Sequence, residues 1–206
     1  MTKRVTLLIT ILALFPSLLF SFSFSGLGST QTSFFEDDTT LLSAGIYLSH
    51  YNWSFNDELG FFAQGEMNFP FYGKSRIDGY NSYWDFKSFN KRYIFSFLGG
   101  LAIKDTISYN SFIYYGIGPS VHYFLFENKN KEVSKLLYGG IGLSVGYIYL
   151  IGDYSFVDSG SIVDYNFYSY QNFGSDSSWS KLPQTNLFTV RYYIGFGFGK
   201  TRGRYY

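Results

Sequence analysis

Bulky and small side chains alternate most clearly between residues 186 and 200, which read NLFTVRYYIGFGFGK. One face of this segment carries only large apolar or aromatic groups, namely Phe188, Val190, Tyr192, Ile194, Phe196 and Phe198. The other face carries Thr189, Arg191, Tyr193, Gly195 and Gly197. Successive side chains of a β-strand point to opposite faces of its sheet, so a period of two residues predicts a strand. We therefore predict a strand with one apolar face here.

The same alternation recurs along the rest of the chain. It is regular in five further segments, residues 40–52, 61–71, 92–104, 112–126 and 137–151. It is less regular in residues 80–89 and 162–173, each long enough for one more strand. Short polar connections separate the segments, as antiparallel hairpins require. The prediction is an all-β, antiparallel, up-and-down arrangement of eight strands.

The composition excludes several classes of protein. Aromatic residues make up 23% of the 206 residues and charged residues only 15%, which is unlike a disordered chain. The formal net charge is +1 with no basic stripe, so no nucleic-acid partner is expected. The chain has no cysteine, which excludes disulfides and thiolate metal sites. We predict neither a metal nor a cofactor.

The N-terminal segment has the layout of a secretory signal peptide. Lys3 and Arg4 precede an apolar run over residues 5–20, and small residues follow at 21–26. Cleavage is expected after Ser23 or Ser25, although an uncleaved membrane anchor has a similar pattern. The predicted organisation is a signal peptide over residues 1–25 and a barrel domain over residues 26–206.

The composition of the two strand faces indicates which of them is inside. Opposite the bulky rows stand mainly Gly, Ser and Ala, which suit the narrow interior of a small closed barrel. The bulky rows would then face lipid, and the sheet must close because hydrocarbon cannot satisfy backbone polar groups. The alternative is a secreted soluble sandwich with an aromatic core. Aromatic residues near segment ends predict two interfacial girdles, made of Tyr51, Trp53, Phe69, Tyr72, Tyr123, Tyr147 and Tyr149.

These features resemble the small eight-stranded outer-membrane barrels, the class that includes OmpX, OmpW and the membrane domain of OmpA. The final strand, Arg191 to Phe198, is similar to the C-terminal signal that the barrel-assembly machinery recognises. It differs in carrying Tyr193 where that signal has glycine, and in continuing to Tyr206. The resemblance implies a transmembrane β-barrel in a bacterial outer membrane after signal cleavage, with both chain ends in the periplasm. It also implies outer-membrane lipids and the assembly machinery as partners.

Several polar residues fall on the predicted inward face: Gln64, Glu66, Arg92, Lys104, Ser120, His122 and Arg191. Buried charges must be paired, so we interpret these residues as a network that fills the lumen. The alternative is a narrow polar path for a small solute. Four aspartates, Asp153, Asp158, Asp164 and Asp176, are assigned to loops, where they would allow but do not indicate a calcium site.

His122 and Ser120 also allow a hypothesis of catalysis. They share the inward face, as in a lipid-modifying barrel enzyme, but residues two apart on a strand are about 6.5–7 Å apart, too far for a direct nucleophile–base contact. We therefore predict a protein that is not an enzyme and has a structural or surface-interaction role. A passive channel similar to OmpW is the first alternative and the lipid-modifying enzyme the second. Contacts to an unidentified extracellular ligand are assigned to loops near residues 54–57, 127–135 and 172–184.

Overall fold

The computed structural model describes residues 21–35, 40–52, 58–77, 80–152, 155–173, 179–181 and 186–198. The strands are β1 Ser21–Phe35, β2 Thr40–Asn52, β3 Leu59–Ile77, β4 Tyr80–Tyr83, β5 Phe89–Ser108, β6 Ser111–Asn128, β7 Val133–Leu150, β8 Ser155–Phe173, β9 Ser180–Lys181 and β10 Leu187–Phe198. A 3-10 turn, Phe86–Ser88, precedes β5. In these described ranges, no helix has the length and apolar character needed to cross a bilayer.

Eight long strands form one closed antiparallel barrel. Each pairs with the next long strand along the chain, in the order β1-β2-β3-β5-β6-β7-β8-β10, and β10 returns to pair with β1. The two short strands lie off this ring, β4 on β3 and β9 on β8. The predicted fold class, an all-β, up-and-down barrel of eight strands, is confirmed.

One of the eight strands is not where we predicted it. Apart from single residues at their ends, the six regular segments lie in β2, β3, β5, β6, β7 and, for the described part of the last segment, β10, and residues 162–173 lie in β8. Residues 80–89 do not form a barrel strand: they contain β4, the 3-10 turn and the first residue of β5. The eighth barrel strand is β1, which begins within the segment assigned to the signal peptide and is not among the predicted strands. Residues 1–20 lie outside the described part of the chain, and the signal-peptide assignment stays a prediction.

The bulky rows point outward, as the alternation predicts. Phe61 is 63% exposed, Ile194 56% and Phe198 64%, and the neighbouring strands present similar rows of exposed aliphatic and aromatic side chains. Of the predicted girdle residues, Phe69, Tyr72, Tyr147 and Tyr149 are exposed, Tyr123 is half-buried, and Trp53 lies outside the described residues. Tyr51 was assigned wrongly, because its ring is buried inside the barrel.

The interior contains more aromatic side chains than we expected. Glycine on a nearby strand makes the room for them: a Cβ at Gly116 would lie 2.6 Å from the Phe62 ring, and one at Gly146 would lie 2.2 Å from the Tyr114 ring. The glycines of the inward face therefore leave the space that the inward aromatic rings occupy.

The two ends of the barrel differ in what they carry. Ser21 and Phe198, the first and last described residues, lie at one end, which we call the terminal end. The connections β1–β2, β3–β5, β6–β7 and β8–β10 lie at the other, which we call the loop end. Residues 54–57 lie outside the described residues, but the strand ends that flank them, Asn52 and Leu59, are at the terminal end. Grouping this connection with residues 127–135 and 172–184 was therefore wrong, since those connections are at the loop end.

Candidate functional site

The lumen is filled by side chains arranged in layers along the barrel axis. At the loop end lies an apolar layer, made of Leu41, Phe86, Ile94, Phe124, Phe126, Tyr138 and Leu187. Below it lies an ionic layer, which includes Glu66, Asn68, Ser96, Ser120, His122, Asp164, Asn166, Thr189 and Arg191. A tyrosine layer follows, with Tyr47, Tyr51, Tyr114 and Tyr193 around Gln64 and Asp158. Apolar side chains close the terminal end, among them Phe62, Phe112, Leu150 and Phe156.

Arg191 is the centre of the ionic layer. Its Nη1 lies 3.0 Å from Glu66 Oε1 and its Nη2 lies 2.5 Å from Asp164 Oδ2. Glu66 also accepts a hydrogen bond of 2.9 Å from Asn68 Nδ2. Because all three charged side chains are fully buried, the two ion pairs have little screening by solvent. The guanidinium thereby connects β10 to β3 on one side and to β8 on the other.

His122 extends the ionic layer to β5. Its Nδ1 lies 2.8 Å from Ser96 Oγ, and its Nε2 lies 3.4 Å from Asp164 Oδ2. Ser120, the neighbour proposed from sequence, instead donates to Asn166 Oδ1 at 3.0 Å. Ser96, His122 and Asp164 have the residue types of a hydrolytic triad, but all three are buried and Asp164 is held by Arg191. Nucleophilic catalysis requires that substrate reach the serine oxygen, and in this arrangement the Ser96 oxygen lies inside the filled lumen.

The tyrosine layer is a second network of buried hydrogen bonds. Asp158 Oδ2 accepts from Tyr51 OH at 2.5 Å and from Ser49 Oγ at 3.1 Å. Gln64 Nε2 donates to Tyr47 OH and Tyr114 OH, both at 2.8 Å. These bonds join β2, β3, β6 and β8 across the lumen.

Tyr193 adds the last strand to the same layer. Its hydroxyl is hydrogen-bonded to that of Tyr114, and its ring stacks on Tyr47 with centroids 4.1 Å apart. The apolar body of each tyrosine packs in the lumen while its hydroxyl is hydrogen-bonded, which is what burial of this side chain requires.

The structure places five of the seven predicted lumen residues in the two central layers: Gln64, Glu66, Ser120, His122 and Arg191. The other two, Arg92 and Lys104, lie near opposite ends of β5 and do not join them. Arg92 Nη1 donates to Phe86 O at 2.8 Å, and Lys104 Nζ lies 5.6 Å from the Phe112 ring centroid. Twelve positions along one strand separate them, so they cannot belong to one layer.

Two acidic residues of the network were assigned wrongly from sequence. Asp158 and Asp164 are not in a loop but on the inward face of β8, fully buried. The period-two positions from Phe156 to Asn166 contain both, and that signal could have identified them. Asp153 and Asp176 lie outside the described residues. Within the described ranges, no three His, Asp or Glu side chains are grouped as metal ligands.

Comparison with known proteins identifies the architecture. No protein-family model matches the chain. No curated protein sequence matches it either. Among solved structures, Neisserial surface protein A aligns over 87% of this chain and 96% of its own, with a TM-score of 0.54 and 10% identity. The outer membrane protein OprG of Pseudomonas aeruginosa aligns over 87% and 94%, with a TM-score of 0.54 and 14% identity. The chain therefore has the fold of the small eight-stranded outer-membrane barrels.

Proposed function

We propose that this protein is an integral outer-membrane barrel with a structural or surface-interaction role and a lumen that does not conduct solutes. The observation that carries the proposal is the inverted distribution of side chains. Aliphatic and aromatic groups cover the outside, whereas ion pairs and hydrogen-bonded hydroxyls fill the inside. A soluble barrel has the opposite arrangement, because apolar surface is stabilised by removal from water.

The backbone pairing and the strand lengths also fit a membrane environment. Hydrocarbon leaves no partner for an open sheet edge, and this sheet closes through the β1–β10 pairing. Its barrel strands contain 12 to 20 residues, enough to cross a bilayer that needs about 9–11. The partners are outer-membrane lipids on the outward face and, during insertion, the barrel-assembly machinery at β10.

The difference between the two ends suggests an orientation. Short turns and both chain ends are typical of the periplasmic side of such barrels, which here is the terminal end. The loop end, including residues 127–135 and 172–184, would then face outside and carry any contact to an extracellular ligand. Replacing residues 129–132 with Gly-Ser should weaken binding to such a partner without changing barrel folding.

We expect no ion conduction because side chains fill the lumen. The purified chain in planar bilayers should give no stable single-channel current, because apolar layers close both ends of the polar network. Steady conductance of the unmodified protein would favour the channel alternative. Unboiled protein should also migrate differently from boiled protein on a detergent gel, whereas identical migration would contradict a closed barrel.

We also propose that the protein is not an enzyme. The lipid-modifying alternative involves His122, whose side chain faces the lumen and not the lipid. If the protein did edit lipid, His122→Ala should abolish the activity. Activity that survives this change would dismiss the His122 mechanism.

Cleavage of the predicted signal peptide would affect β1 directly. Ser21–Ser25 pair with β2, and Phe22, Ser23 and Phe24 also pair with β10. Cleavage after Ser25 would remove these pairs but keep those from Thr30 to Phe35. N-terminal sequencing of protein extracted from membranes distinguishes cleavage after Ser23 or Ser25 from an uncleaved anchor.

A further inference from the structure

The β3–β5 connection folds back over the loop end of the lumen. After β4, residues 84–88 turn inward and place the Phe86 ring in the apolar layer at the loop end, where it is 8% exposed. Trp84 lies beside it, with ring centroids 6.0 Å apart, and also contacts Phe126 at 5.8 Å. We call residues 84–88 the cap.

The cap is held by a few specific contacts and has no strand of its own. Trp84 N donates to Gly73 O at 2.9 Å, and its Nε1 donates to Ser75 Oγ at 2.7 Å. Lys129 N donates to Ser88 O at 3.0 Å, which joins the cap to the β6–β7 turn. None of these contacts is a pairing between two strands of the barrel ring.

Arg92 contacts both the backbone and the ring of Phe86. Its Nη1 donates to Phe86 O at 2.8 Å, and its guanidinium carbon lies 5.3 Å from the centroid of the same ring. A charged donor makes a stronger hydrogen bond than a neutral one, and a cation over a ring face adds electrostatic attraction. This explains why a half-buried charge occurs at the loop end, apart from the ionic layer.

The ionic layer lies directly below the apolar layer that Phe86 completes. Along β6, Phe124 in the apolar layer is followed on the same face by His122 and Ser120. Along β10, Leu187 is followed by Thr189 and Arg191. Residues of the barrel strands close the terminal end. A path created by displacement of the cap would therefore lead from the loop end to the ionic layer and no further.

We propose that the cap is a gate over the ionic layer, in which the Phe86 ring blocks the loop end and Arg92 holds the cap closed. Displacing the cap admits water and small water-soluble molecules to the ionic layer from the loop end. The inference goes beyond the proposed role, since a barrel with a permanently closed cap would still be a non-conducting membrane barrel.

The absence of cysteine allows a direct test. Ser120→Cys introduces a single thiol in the ionic layer, where Ser120 is 1% exposed. The full chain, folded in detergent, is treated with a charged methanethiosulfonate reagent, and the rate of thiol modification is measured. The same rate is measured with Phe86→Ala or Arg92→Met added. Loss of a charge-assisted hydrogen bond shifts a closed–open ratio about tenfold or more, so we expect modification at least about tenfold faster.

Two controls separate gating from general loosening. Tyr83→Ala removes an exposed ring next to the cap that lies outside the lumen, and it should leave the rate unchanged. Ser144→Cys places the thiol at a buried position further from the loop end on β7, and it should stay slow with either cap variant.

Each outcome is decisive. Faster modification of Ser120→Cys alone, with heat-modifiable mobility retained, supports the gate. Equal rates with and without the cap substitutions overturn it, as does an equal acceleration at Ser144→Cys. If Phe86→Ala fails to fold, the Arg92→Met variant, which keeps the Phe86 ring, decides between the two outcomes. Failure of the gate would leave the bilayer conductance result unaffected, whereas conductance of the unmodified chain would contradict the proposed function itself.

Discussion

At the scale of single residues, Arg191 is the side chain on which the interior most depends. It is fully buried and forms ion pairs with two carboxylates from different strands, those of Glu66 and Asp164. A planar guanidinium can donate in two directions at once, which the ammonium of lysine cannot do with the same geometry. The pairing also explains how two acidic side chains are accommodated in the same layer.

Replacing Arg191 with methionine should therefore be strongly destabilising. The change keeps much of the volume but leaves two buried carboxylates without their cation, which typically costs about 3–5 kcal/mol. The measurement is the free energy of unfolding in urea for protein refolded into lipid vesicles. Arg191→Lys should recover part of the loss, and Glu66→Gln with Asp164→Asn in the methionine background should recover more. Unfolding of Arg191→Met at the wild-type urea concentration would contradict this account.

At the scale of elements, β5 and β6 approach each other closely near the middle of the wall. Their regular pairing stops after Leu98–Ser120 and resumes at Leu101–Ile117. A Cβ at Gly118 would lie 2.0 Å from Gly99 O, a backbone atom that cannot move without displacing the strand. Glycine is required here because the two backbones occupy the space of a side chain.

This close approach gives a prediction with a matched control. Gly118→Ala should destabilise the barrel by about 1–3 kcal/mol, the usual cost of overpacking, and reduce the yield of the heat-modifiable form. Gly65→Ala should be tolerated, because no atom lies within 4 Å of the added Cβ. Urea unfolding of the two variants side by side checks both. Equal effects would mean that the loss reflects strand glycines in general and not this contact.

At the scale of the whole molecule, the outward face should tolerate charge only near the rim. Ile194 lies within β10 on the outward face, whereas Ile107, also exposed, lies next to the β5–β6 turn at the terminal end. For a barrel in a bilayer, Ile194→Lys should cost about 2–4 kcal/mol and Ile107→Lys about 1 kcal/mol or less. Folding into vesicles, followed by urea unfolding, measures both. A soluble barrel would accept the two lysines equally.

Much of this architecture can be predicted from the order of residues alone. Alternation in six segments predicts strands and also which face is bulky, because a strand's geometry is local and repeats every two residues. It failed where an N-terminal strand overlaps the features of a signal peptide, and at residues 80–89, where Trp84 and Phe86 pack over the lumen. The aromatic residues of that segment make tertiary contacts over the lumen. A local sequence pattern does not distinguish such residues from the aromatic residues of a strand face.

The sequence by itself determined the antiparallel strands, the outward rows such as Phe188 to Phe198, and the inward position of Glu66, His122 and Arg191. Only the tertiary structure decided which of these charges meet. Glu66 and Arg191 are 125 positions apart, and closure of the barrel brings them within 3.0 Å. The same closure places Arg92 at the cap and Lys104 at the opposite end. The physical reason is that the side of the sheet to which a residue points is set within its own strand. Its position along the barrel axis, in contrast, depends on the pairing register of every strand in the ring.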